Sequence, residues 1–166
     1  MGDAERAGDE AAIALEERPT GDFIDGYLAG LATVNAALAG ARANSFFYSF
    51  DWIGDGSEPR ETSLLNAFQA KADQLRFEIV AIADWRAEVE RLGVKWLGRD
   101  LDGAAPAALA QEFADILAAF LAEQRAEVLR VTPQLLDGSP MLGAAHDHLL
   151  FETMDGRLLL EFSLDP

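Results

Sequence analysis

The sequence contains no cysteine, which excludes disulfides, thiolate nucleophiles and cysteine-ligated metal centres. Lysine is nearly absent as well: Lys71 and Lys95 stand against eleven arginines. Histidine occurs only at 146 and 148, so any imidazole chemistry must run through that one short segment. Long apolar runs are also missing. The longest uncharged stretch, Gly26 to Ala41, is rich in Ala and Gly and falls short of the roughly 20 apolar residues that span a bilayer. The opening residues Met-Gly-Asp-Ala-Glu-Arg have neither the basic start nor the apolar centre of a signal peptide. A cytoplasmic protein without membrane contact is the expectation.

Positive charge is what the chain lacks most. Against 29 Asp and Glu there are 13 Lys and Arg, a net charge of −16. The imbalance gathers at the ends, with −6 over residues 1–26 and −5 over residues 134–166. Such a field repels phosphate backbones and anionic lipids, which argues against nucleic-acid and membrane partners, and it steers a basic protein inward. Solubility, or adaptation to a saline habitat, is the competing explanation of the same charge. The bias toward Arg and Ala suggests a GC-rich bacterial genome.

What is present is enough for one core. The chain has 166 residues, half of them apolar, which suits a single domain. The expected organisation is an acidic, flexible tail over 1–18 followed by one α+β domain over 19–166, with three main amphipathic helices on a small, mainly antiparallel sheet that ends in a C-terminal β-hairpin. Phe46, Tyr48, Phe50 and Trp52 recur at every second position, which puts four rings on one face of a strand. That strand is expected inside the sheet, with its rings against a helix layer. A helix is expected from Asp22 to Arg42 with Thr20 or Asp22 as its cap. It carries a stripe of small residues, Gly26, Gly30, Thr33, Ala37 and Gly40, which points to close approach by another backbone.

Residues 61–92 admit two readings. An apolar seam at 65, 68, 72, 75, 79, 82 and 89 favours one continuous helix. The alternative is a helix over 61–75, a strand over 76–83 and a short helix capped by Asp84. The absence of Gly, Pro or Asn over 74–77 tips the choice toward the single helix. Trp96 falls in a loop expected over 93–106, and a further helix is expected from Pro106 to Arg130. Two apolar runs around Met154-Asp155-Gly156-Arg157 predict a β-hairpin, since Asp-Gly suits a tight turn.

No catalytic motif stands out. Asp51-Trp-Ile-Gly-Asp-Gly56 has acids at positions 1 and 5 of a calcium loop and Gly at 6, but Ile53 and Thr62 fill positions that must supply oxygen. As a phosphate loop the same segment fails, because Pro59 replaces the third Gly and Asp55 and Glu58 repel the ligand. None of the six serines lies in Gly-x-Ser-x-Gly. His146 and His148 project to one side of extended chain and are candidate metal ligands, with Asp51, Asp55 or Asp137 to complete the set. No cofactor is implied.

The reading that fits these absences is a non-catalytic, acidic protein-binding module of inhibitor, antitoxin or immunity type, directed at a basic protein. Trp52 and Trp96 are its candidate anchors, and Asp137, Asp147, Asp155 and Asp165 its candidate steering charges. A homodimeric acidic chaperone for a secreted protein, with the small-residue stripe as its seam, is one alternative. A small metal-dependent hydrolase using His146 and His148 is the other.

Overall fold

The computed structural model describes residues 18–40, 45–136, 142 and 144–165. Nearly all of the expected tail lies outside these residues, as does Asp137. Helix α1 (Gly21–Ala39) begins where Thr20 turns from extended backbone and its hydroxyl accepts the Phe23 N–H at 3.1 Å. It ends at Gly40, whose φ of 72° closes the helix in a conformation that suits glycine. Strand β1 (Ser45–Gly54) follows, then α2 (Arg60–Ala67), β2 (Leu75–Ala81), α3 (Trp85–Trp96), α4 (Ala105–Phe120) and strands β3 (Glu127–Leu135), β4 (Ala145–Glu152) and β5 (Arg157–Asp165).

The α+β class and the closing β4–β5 hairpin are as expected, but the described residues form four helices rather than three. Residues 61–92 are helix, strand and helix. The helix stops because Gln69 adopts φ 51°, a left-handed turn made without glycine, and Ala70 N–H reaches back to the Leu65 carbonyl at 2.9 Å. Asp84 then caps α3, its carboxylate accepting the Ala87 N–H at 3.0 Å. The expected helix over 106–130 also breaks, ending at Phe120, and Val128, Leu129 and Val131 enter β3. Pro133 is tolerated there because it lies beyond Val131, where pairing with β4 ends.

The five strands lie in the order β1-β5-β4-β3-β2, each antiparallel to its neighbours. One face carries Tyr48, Phe50, Leu160, Phe162, Leu149, Phe151 and Val128, packed against Ile24 and Leu28 of α1, Val89, Leu92 and Trp96 of α3, and Phe113 and Leu117 of α4. Each such side chain contributes about 1.5–3 kcal/mol by leaving water. Phe50 meets Phe120 and Phe151 edge-on at 5.6 and 5.7 Å, the geometry favoured by ring quadrupoles. The opposite face has a smaller cluster, Leu129, Val131, Leu150 and Leu159, under Leu64 of α2.

β1 is therefore an edge strand, not the inner strand expected. Its rings do face the helices, except at the far end, where Trp52 stays 53% exposed. The indole lies against the hairpin turn. A Cβ added at Gly156, where φ is 146°, would sit 2.3 Å from the Trp52 ring and 2.5 Å from the Gly54 carbonyl oxygen. The turn thus needs glycine for contact as well as for backbone angle. Gly26 and Gly30 are different: a Cβ there would meet nothing within 4 Å, so no backbone among the described residues approaches them.

Candidate functional site

The edge of β1 that no other strand pairs among the described residues faces α1 across a groove of about 800 Å³. Its walls follow from sequence. Ala29, Thr33 and Ala36 of α1 are exposed and too short to fill the gap, while Ser45 through Ser49 and Asp51 supply the other side. The helix is held at this distance by a buried knot. Asn35 Nδ2 donates to the Tyr48 hydroxyl and to the Trp96 carbonyl, both at 2.9 Å, and Tyr48 Oη donates to the same carbonyl at 3.0 Å. These bonds satisfy an otherwise orphaned carbonyl at the end of α3. Burial also raises the Tyr48 pKa, so its hydroxyl stays protonated as a donor.

Two carboxylates, Asp25 and Asp51, line the groove, and no Lys, Arg or His is among the described residues that do. Asp25 Oδ1 accepts the Phe50 N–H at 3.2 Å, which establishes that this amide points away from β5. Strand alternation turns the main-chain groups of Phe46 and Tyr48 the same way. Phe47 lines the groove and is 53% exposed, as is Trp52 at the far end of β1, outside that lining. Asp51 and Trp52 border a smaller hollow of about 430 Å³ on the α2 side, with Asn66 and Glu161.

The other candidates disperse. Trp96, expected in a loop as an exposed anchor, ends α3 with no exposed surface; it packs between Tyr48 and Phe162 and presents nothing to a partner. Its Nε1 donates to Asp147 Oδ2 at 2.6 Å, and Lys95 Nζ reaches the same oxygen at 2.5 Å. Asp147 is thereby engaged inside the fold. Asp155 is exposed at the hairpin turn and Asp165 at the end of β5. Asp137 lies outside the described residues.

His146 and His148 do share a face of β4, with ring centroids 5.3 Å apart. They adjoin Ser163 and Glu161 of β5 through the strand register. His148 is buried at 2% exposure, edge-on to Phe68, with Nε2 3.7 Å from a Glu161 oxygen and neither ring nitrogen hydrogen-bonded. His146 is held below the ordinary imidazole pKa, chiefly by burial and then by the neighbouring His148, which favours its neutral form. Among the described residues no group of three or more His, Asp or Glu is placed to hold a metal ion. No described helix is long and apolar enough to cross a membrane.

Sequence reading singled out Trp52, which is half-exposed, but not Asp25, not Asp51 as a groove residue, and not the place of β1 at the sheet edge. Of the small-residue series singled out on α1, only Thr33 and Gly40 line the groove; Ala29, Ala32 and Ala36, which make up the rest of that wall, lie outside the series. Comparison with models of known protein families, with curated proteins and with solved structures found no match.

Proposed function

We propose that this chain is a non-catalytic binding module for a basic protein, of the kind represented by inhibitors, antitoxins and immunity proteins. The observation that carries this reading is the groove between α1 and the β1 edge, whose described lining has two carboxylates and no cation. A chain of net charge −16 adds long-range attraction to that local preference. Trp52, next in sequence to the groove residue Asp51, supplies a large, half-exposed aromatic surface of the type that anchors protein interfaces.

The test is binding by the intact protein, immobilised in native lysate at low salt. The expected partner is basic, binds with an on-rate that falls steeply as salt shortens the screening length to about 8 Å at physiological strength, and is lost with Asp51→Asn combined with Trp52→Ala. Captured proteins no more basic than the lysate average, or an on-rate flat in salt, would contradict the reading.

A further inference from the structure

We infer that the β1 groove receives an extended, Lys- or Arg-bearing segment of the partner, added to the sheet as a sixth strand. This deepens the binding reading above and rests on it. Three features of the groove carry the inference.

The first is that β1 is an edge strand with no strand on its outer side among the described residues; Ser45 to Phe47 at its start are not buried, while Tyr48 to Phe50 lie under α1. Sheet edges are normally blunted by charge, brevity or cover, because their free N–H and C=O groups accept further strands. β1 has ten residues, and Ser45 through Phe50 contain no charge. The opposite edge, β2, has seven residues and carries exposed Arg76 and Glu78. The second feature is room. α1 runs beside β1 but presents Ala29, Thr33 and Ala36 across the gap, so neighbouring main chain is reachable where larger side chains would close it. A strand between a helix and a sheet edge is a recurrent mode of peptide capture: main-chain bonds give affinity, and alternate side chains give selectivity.

The third feature fixes the chemistry of the occupant. Asp25 already accepts the Phe50 N–H, so the new ladder runs along Phe46 and Tyr48 and ends against that carboxylate. A cationic side chain at this end meets Asp25, and Asp51 lies one residue beyond Phe50. Arg99 lies over the ring of Phe46, 5.5 Å from its centroid, but does not line the groove. A second copy of this chain is the poorer occupant, because pairing β1 with β1 brings two chains of charge −16 and their Asp25 and Asp51 carboxylates together.

The probe is a displayed library of random ten-residue peptides selected on the full chain, followed by amide exchange with the best synthetic binder. Selection should enrich peptides alternating β-branched residues with at least one Lys or Arg. On binding, exchange at the Phe46 and Tyr48 amides should slow about tenfold or more. Thr33→Arg, at an exposed position, should weaken the peptide about tenfold by filling the groove while leaving Tm unchanged. Basic peptides or a basic protein that bind in a salt-sensitive way without slowing those two amides would overturn strand addition and leave the acidic-binding reading intact. Enrichment of acidic or helix-forming peptides, or no salt-sensitive basic ligand of any kind, would overturn both.

Discussion

β1 and β2 close the same sheet at opposite edges and are built on different principles. β1 is long, aromatic and uncharged up to Asp51, with its inward rings in the main core and its outer edge open to a groove. β2 is shorter, holds one fully buried side chain, Leu75, and shows water Arg76, Glu78 and Val80. One edge is sealed by composition. The other is left pairable while its opposite side chains anchor the fold. An edge that combines strong anchoring with open hydrogen-bonding groups is suited to holding a partner strand without itself unravelling.

The largest expected effect tests the anchoring. Phe50→Ala should cost about 3–5 kcal/mol, as aromatic truncations in packed cores do, whereas Phe77→Ala on β2, a half-buried ring, should cost clearly less. Denaturant unfolding measures both, and equal losses would erase the contrast. Next in size is the ion cluster that fastens the β2 side. Glu88, only 9% exposed, accepts from Arg91 of its own helix and Arg130 of β3, and these cations depress its pKa from 4.5 to about 2 despite the opposing cost of burial. A lowered acid pKa stabilises the fold above the unfolded value and loses that contribution as pH falls through the folded one. The contribution, on the order of 2–3 kcal/mol, should be present above about pH 4.5 and gone near pH 2. Glu88→Gln should flatten that part of the stability profile; an unchanged profile would contradict the assignment.

Smaller effects lie between the edges and at the rim. His148→Leu removes two buried, unbonded ring nitrogens and should leave the protein as stable or more so, by about 1 kcal/mol at neutral pH. A loss above about 1 kcal/mol would show that the imidazole makes a favourable interaction there. Trp52→Ala should cost little stability, within about 1 kcal/mol for a half-exposed ring, while reducing partner affinity. Chemical unfolding and a binding measurement on the same variant separate the two.

How far the residues announced this arrangement depends on whether the deciding information was local. Thr20 and Gly156 act through neighbours within a few positions, and α1 and the hairpin were legible from them; the Asp84 cap of α3 is equally local but stands only in the alternative reading of 61–92. The break at Gln69 was not legible, because a left-handed residue other than Gly or Asn leaves no composition signal, and the apolar seam ran on through it. The end of α4 failed similarly: Val128 extends the helical spacing from Phe120 but belongs to a strand. The period-2 rings of β1 were plain, yet its place at an edge is set by pairing with β5, more than a hundred residues away, which no local pattern encodes. The groove inherits that difficulty. The stripe of small residues read on α1 meets its wall only at Thr33 and Gly40, because Ala29, Ala32 and Ala36 belong to an adjoining face that composition does not set apart.

Placing a photo-crosslinking residue at Thr33, on the groove wall, and separately at Val80, on the β2 edge, tests the difference between the edges most directly. Both positions are exposed, and both variants should fold as the parent does. Irradiation in native lysate at low salt should join a basic protein to the Thr33 variant, suppressed by high salt, and join none to the Val80 variant. Equal crosslinking from both sites, or a basic partner captured only from Val80, would contradict the assignment of the β1 groove as the binding edge.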